Sequence, residues 1–412
     1  MFEKVIKYVK TLIKWTVIAF VTGITGGTLG SVFGKCITYV THLREVKPYV
    51  LFFLPLGGVV IAFMYKLYSK KGKIDTNRVI RSADGDENIP LVMIPLIFLS
   101  TVITHFLGGS AGREGAALQL GGCMGYNIGR IIKLKSENMH TIVMAGMSAV
   151  FSALFGTPVA AAVFSVEVAS VGIMHYMSLV PCLVSAITAY LISGKFGIVP
   201  EIFKFIEFGN INYVIYIKAM IIAVLCAVIS ITFCSSIKYS EKYMKKAFPN
   251  RYVRAVAGGV IIIILTLVVG SYDYNGAGMF VVERAMHGKA RPEAFLLKIL
   301  FTAITIGAGF KGGEIVPSFF IGSTFGCVVA KLIGLDPAFG AALGFIALFC
   351  GVVNCPIASL ILSVEVFGAD AFPVFAIVCA VSYMMSGRYG LYNSQKIVFS
   401  KTSDRLINKY TN

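Results

Sequence analysis

The 412-residue chain reads as an all-α polytopic membrane protein built from one unit used twice. Three observations carry that reading. Hydrophobic residues make up 57% of the chain and charged residues 14%, with a mean hydropathy of +0.81. A soluble domain carries about 25% charged residues. The sequence also repeats itself. GREGAALQLGG, with Glu114 at its heart, echoes 200 positions later as GGEIVPSFFIG around Glu314. TPVAAAVFSVEV (157–168) echoes as CPIASLILSVEV (355–366), and Asp75-Thr76-Asn77 as Asp273-Tyr274-Asn275, each 198 positions on. Lastly, several apolar runs are shorter than the roughly 20 residues a helix needs to span a bilayer. Short, glycine-interrupted runs at matching places in two halves point to helix ends meeting inside the membrane, with the site between them.

Taken in order, the apolar runs predict helices near 12–40, 48–68, 88–106, 114–132, 138–154, 158–172, 177–194, 211–238, 252–270, 294–308, 315–333, 337–350, 356–367 and 371–386. At the N-terminus, Lys4, Lys7, Lys10 and Lys14 recur at helical spacing beside Phe2, Val5, Ile6 and Leu12. This predicts an amphipathic helix on the cytoplasmic membrane surface. The run that follows lacks a convincing small-residue cleavage site, which argues against a signal peptide. The glycines of TGITGGTLGSVFG (22–34), with Ala160 to Ala162 and Ala341-Ala342, would let helices approach closely. About 26 residues follow Ser386, too few for an appended soluble domain. The expectation is one membrane domain over 1–412, with repeat one at roughly 15–200 and repeat two at roughly 210–400.

Charge narrows the function. Lys and Arg number 37 against 20 Asp and Glu, and the cations cluster between apolar runs, at 65–81, 130–135 and 238–254. That is the positive-inside pattern of cytoplasmic loops. Aromatic stacking platforms in a basic groove are absent, so nucleic acid is not a partner. Nine cysteines lie mostly in apolar runs without a CxxC pair and read as small buried hydrophobes. Five histidines, His42, His105, His140, His175 and His287, have no ligand spacing, so no metal or other cofactor is expected. GREGAAL lacks the Lys-Ser/Thr ending of a phosphate-binding loop. A membrane-embedded enzyme would need a nucleophile–base pair or a metal cluster, and neither is present.

The chemistry concentrates in the first repeated block. Gly108 to Gly115 join a helix ending near Leu107 to one starting near Glu114. A helix N-terminus offers free N–H groups and the positive end of the dipole, and glycines leave those groups open to an anion. A carboxylate tethered there occupies the anion site itself. Protonating it weakens its hold, so Glu114 can be both gate and proton carrier. An ionisable side chain at membrane depth is a functional candidate by default. The plain alternative is a salt bridge to Arg113 or an N-cap. Gly307 to Pro317 repeat the design, with Glu314 either structural, anchoring Lys311 or its loop, or functional.

These motifs resemble the CLC family of chloride channels and anion/proton antiporters. Its G(K/R)EGP signature is matched by Gly112-Arg113-Glu114-Gly115-Ala116, with Ala116 in place of proline. Its GxFxP signature is matched by Gly313-Glu314-Ile315-Val316-Pro317, with Ile315 in place of phenylalanine. The family's GSGIP motif is not intact; Ile74-Asp75-Thr76-Asn77-Arg78 is the nearest match. The glutamate in GGExxP, GREG without its proline, the lost GSGIP and the ending GRYGLYNSQ (387–395) resemble the fluoride/proton antiporter branch. The resemblance covers roughly 15–400. It implies two repeats inverted in the membrane, a homodimer with one pore per subunit, and export of fluoride against inward protons. By position it implies Glu114 as the gating glutamate and Tyr392 at the inner mouth of the path. Thr76 or Asn77 takes the place of the chloride-contacting serine. Glu167 matches the first residue of the glutamate pair in chloride/proton exchangers, while the second, the internal proton acceptor, falls on Val168. A hydroxyl residue expected in some fluoride members is replaced by Val316. The expected anion site is therefore Gly112, Arg113, Gly115, Thr76, Asn77, Phe310, Gly313, Glu314, Ile315, Val316 and Tyr392. Ring edges of Phe106, Phe310, Phe319 and Tyr392 are candidate fluoride donors. A chloride/proton antiporter or a passive chloride channel is the alternative. The setting is the cell membrane, with both termini cytoplasmic.

Overall fold

A computed structural model describes residues 2–68, 76–83, 88–203, 211–403 and 405–411. Asp75 of the first repeated triplet, and Ile74 before it, lie outside the described residues. Within them the chain forms sixteen α-helices and three short strands. Seven helical segments are long and apolar enough to cross a membrane, and six apolar helices of 10–17 residues are not. Outer faces are greasy: Val17, Phe20, Leu191, Val228, Ile264 and Leu267 are all more than half exposed. In a chain this apolar, such a surface suits a bilayer and not water.

Helix α1 (Phe2–Val46) corrects the expected surface helix. No proline or cap separates the lysine-rich start from Trp15, so the helix runs unbroken for 45 residues, about 67 Å at 1.5 Å per residue. Its glycines do what small residues were expected to do. A Cβ on Gly26 or Gly30 would press into Ala149 or Ala153 of α6 (Ser136–Phe155), and one on Gly27 into Ala189 of α8 (Leu179–Lys195).

The two halves share one plan. A short helix, α4 (Met93–Phe106) or α12 (Ala294–Ala308), leads through a glycine loop to α5 (Glu114–Ile131) or α13 (Ile315–Leu332). Each then packs on the next helix, α6 or α14 (Pro337–Val353), through facing glycines. Gly121 abuts the Gly146 carbonyl, and Gly322 the Gly344 carbonyl. A broken helix follows: α7 (Pro158–Glu167) or α15 (Pro356–Phe367). The run expected to reach 172 stops at Glu167, because residues 170–171 form strand β1 beside β2 (Lys396–Phe399). Strand β3 (Leu406–Tyr410) completes a three-stranded sheet in the order β1-β2-β3.

Contacts between the halves are reciprocal, as a twofold relation requires. Glu167, at the end of α7, accepts from the Ile357 and Ala358 N–H groups at the start of α15 (3.3 and 2.9 Å). Glu365, in α15, accepts from Val159 and Ala160 at the start of α7 (3.0 and 2.8 Å). Each carboxylate satisfies the open N-terminus of its twin helix. This gives Glu167 a structural partner that its position in the sequence did not announce.

Two helices escaped the sequence reading. α3 (Thr76–Ala83) and α11 (Met279–Met286) have eight residues each, too short and too polar to stand out from their flanks. All nine cysteines are free, and eight are buried.

Candidate functional site

The glycine loops bring the two helix N-termini together. After α4, Gly108 takes φ +84°; after α12, Gly309 takes φ +103°. Those left-handed turns favour glycine and swing each chain back toward the other. Gly112 and Gly313 then pair as a two-residue antiparallel ladder, N–H to carbonyl at 2.7 and 2.6 Å. On either side the bonds are again reciprocal. The Ser110 N–H donates to Thr305 Oγ1 (3.1 Å), and the Lys311 N–H to Thr104 Oγ1 (3.2 Å).

These pairs fix the structural register of the repeat at 201, not 200, across the loops. The residue before α5 is Arg113 and the residue before α13 is Glu314. Arg113 and Glu314 are therefore the true counterparts, and Glu114 corresponds to Ile315. Aligning glutamate with glutamate by letter shifted the sequence comparison by one.

Glu114 is 1% exposed. Its Oε2 accepts from the Arg113 N–H at 2.9 Å, and its Oε1 lies 3.4 Å from Arg113 Nε. The salt bridge and the N-terminal contact weighed as alternatives to a gate both exist. They hold the carboxylate at the start of α5. A Cβ on Gly112 would come within 2.6 Å of Glu114 Oε2, so the glycine makes room for the carboxylate. The Arg113 guanidinium turns away to Glu201 Oε1 at 3.0 Å.

On the other side of this seam lies a cavity of about 530 Å³. Thr76, Asn77, Phe310, Glu314 and Tyr392, five of the expected anion-site residues, line it. The remaining ones, Gly112, Arg113, Gly115, Gly313, Ile315 and Val316, with Glu114, do not line it; they form the buried seam beyond. Glu314 joins the two regions, since a Cβ on Gly115 would stand 3.4 Å from Glu314 Oε2. Thr76 Oγ1 accepts from Gln119 Nε2 (2.8 Å), and Asn77 Oδ1 from the Ser394 N–H (3.0 Å). Tyr392 is 2% exposed, and its hydroxyl has no hydrogen-bond partner among the described residues. A buried phenol left so can donate to a visiting anion. The cavity is also ringed by Lys238, Lys245, Arg251, Arg254 and Lys311, against Glu241 and Glu314. Such a basic wall raises the local concentration of anions.

Of the aromatic candidates, Phe310 and Tyr392 reach the cavity. Phe319 is committed to a core of rings, stacked on Phe345 at 3.9 Å and edge-on to Phe155 at 5.8 Å. Phe106 packs half-buried against the same core. Sequence reasoning passed over Gln119 and Glu201. A lone carboxylate in the apolar stretch GIVPEIF and a lone amide in GAALQLGG were the signals available.

Chemically, the open helix N-termini at the seam and the free phenol in the cavity are groups that can donate to a small anion. Fold and site together define a multi-pass membrane protein with a carboxylate lodged between an open cavity and the far side. The family model described as voltage gated chloride channel matches residues 57–387, and the chain belongs to that CLC family. A chloride/fluoride channel protein of Pseudomonas syringae pv. tomato is 32% identical, over 94% of this chain and 87% of its own. A solved CLC-type fluoride/proton antiporter is similar at 31% identity and TM-score 0.90, covering 94% of this chain and 98% of that one. The structure of a slow cyanobacterial chloride/proton antiporter shares the fold at TM-score 0.74 and 20% identity, covering 91% and 94%.

Proposed function

We propose that this protein is a fluoride/proton antiporter, exporting fluoride in exchange for protons, with Glu114 as gate and proton carrier. The observation that carries the reading is the lodging of Glu114, sealed at 1% exposure between the cavity and a half-buried arginine. Ionised, the carboxylate competes with an anion for the same N–H groups. Protonated, it loses that advantage, and the anion takes its place. Each anion passage is thereby tied to a protonation.

Two features support proton carriage by Glu114 itself. Val168, where chloride exchangers would place their internal acceptor, is fully buried and cannot titrate. Glu167 beside it is held by the N-terminus of α15. The likeness to the fluoride/proton antiporter structure favours fluoride, as does the cavity wall, where Thr76 and Asn77 stand in place of a serine loop. Fluoride is strongly hydrated, so backbone N–H groups and the Tyr392 hydroxyl must replace its water. Export also makes chemical sense: the neutral acid enters cells and the anion is trapped inside.

The rest of the reading follows the same family pattern. The chain is one transmembrane domain of two inverted repeats in the cell membrane, with both termini cytoplasmic, and two copies form a dimer. A chloride/proton antiporter or chloride channel remains the alternative on this fold. Ion flux from liposomes holding the purified protein decides. Fluoride efflux that drives protons inward, with little chloride flux, is the expected result. Equal chloride flux would move the protein to the chloride readings, and flux without proton movement would make it a channel.

A further inference from the structure

We propose that Glu201 is a positioning residue for the Glu114 gate: it shares the Arg113 guanidinium, so that Glu114 can leave without stranding a cation. The inference rests on the antiporter reading above.

Arg113 is 17% exposed and stands between two carboxylates. Its Nε faces Glu114 Oε1 at 3.4 Å, and its Nη2 donates to Glu201 Oε1 at 3.0 Å and toward the Leu154 carbonyl at 3.4 Å. A half-buried cation that loses its counter-charge is strongly disfavoured. With Glu114 as sole partner, every departure of the gate from its resting place would leave Arg113 uncompensated. Glu201 removes that barrier, because it holds the guanidinium whether or not Glu114 is present.

The backbone supports a fixed partner here. Glu201 lies in the linker between α8 and α9 (Tyr213–Ala247), and the linker is pinned on both sides of it. Pro200 packs so closely on Gly156 that a Cβ there would come within 2.5 Å of the proline. The Phe203 N–H donates to the Val366 carbonyl at 2.9 Å, and its ring stacks on Phe367 at 6.1 Å. Glu201 thus sits on a backbone strut anchored on both sides. The Glu201 side chain is also 25% exposed against 1% for Glu114. Burial pushes the Glu201 carboxyl above its usual range while Arg113 pulls it down.

Among the described residues, Arg113 before its own helix and Glu201 from the linker act on the Glu114 carboxylate, Glu314 of the opposite N-terminus lies beside Gly115, and Tyr392 of the C-terminal segment is within electrostatic reach. Removing the Glu201 charge leaves the arginine free to attract Glu114 alone. The gate is then held outward and deprotonated more firmly.

The test compares wild type, Glu201→Gln and Glu201→Asp in proteoliposomes, scored by fluoride turnover, fluoride KM and the pH profile of transport. Glu201→Gln is expected to turn over about tenfold more slowly, with KM changed less than about twofold. Its pH profile should move toward acid by roughly one unit. Glu201→Asp, which keeps the charge, should recover most of the rate. Wild-type rate and pH profile in a folded Glu201→Gln protein would overturn the proposal. So would a slow variant with an unmoved pH profile, which marks a merely structural residue. Infrared titration of the Glu114 carboxyl band, assigned by its loss in Glu114→Gln, gives a readout independent of the transported ion. The band should ionise at lower pH in Glu201→Gln than in wild type, and coincident titrations would refute the clamp. If wild type moves no protons with fluoride yet the band shifts, the antiporter reading fails and the clamp stands.

Discussion

The loops at 108–115 and 309–316 are copies of one backbone carrying different chemistry. Both begin with a left-handed glycine, both cross at the Gly112–Gly313 ladder, and both end in the N-terminus of an 18-residue helix. Yet the equivalent side chains before those helices are Arg113 and Glu314, and the first helical residues are Glu114 and Ile315. The scaffold is symmetric and the charge is not. A symmetric anion site would treat both sides of the membrane alike. Here an open cavity lies on the Glu314 side and a sealed carboxylate on the Arg113 side.

The two loops differ most at the paired glycines. A Cβ on Gly313 would strike the Gly115 N–H and stand 3.1 Å from the Glu114 N, both backbone. A Cβ on Gly112 would meet the Glu114 carboxylate at 2.6 Å and Val316 Cβ at 2.9 Å, both side chains. Gly313→Ala should therefore cost about 1–3 kcal/mol of stability, while Gly112→Ala should fold and disturb the gate instead. Thermal unfolding in detergent, run beside flux, separates the two; equal melting temperatures would contradict the asymmetry.

The twin caps offer a finer contrast. Glu167 is 6% exposed and Glu365 is only partly buried, though each accepts two backbone N–H bonds. Glu167→Ala should destabilise by about 1–3 kcal/mol, because it leaves the buried Ala358 N–H unmet. Glu365→Ala should cost less than that. The reverse order of melting temperatures would show that burial does not set the value of these caps. Smaller still is the effect expected of Tyr392→Ala. Loss of its unpartnered hydroxyl should slow fluoride transport severalfold or loosen selectivity against chloride, and a variant unchanged in both would remove Tyr392 from the ion path.

Much of this was legible in the sequence, and the reasons differ by residue. The repeat, the glycine loops and Glu114 stand out because ionisable and glycine residues are rare and expensive inside apolar runs. The register of the loops was not legible. Letter matching favours Glu114 with Glu314, while the ladder that sets the true offset is made by backbone atoms with no letter of their own. Glu201 was hidden for a related reason. Its partner is 88 positions away, and only the fold brings the linker to Arg113. Glu167 matched the first of a glutamate pair by its place in FSVEV, with Val168 at the second position; that its carboxylate is taken up by the N-terminus of a helix 190 residues on was not legible. The lysine-rich start read as a surface helix, because periodicity reports a helix but not where it bends.

The central claim is that one side chain is both gate and proton carrier. The most direct measurement is proton uptake into fluoride-loaded proteoliposomes, comparing wild type with Glu114→Gln under an outward fluoride gradient. The account predicts that wild type acidifies the lumen as fluoride leaves, and that Glu114→Gln brings proton movement down to the protein-free background. Undiminished fluoride-driven proton uptake by a folded Glu114→Gln protein would contradict it.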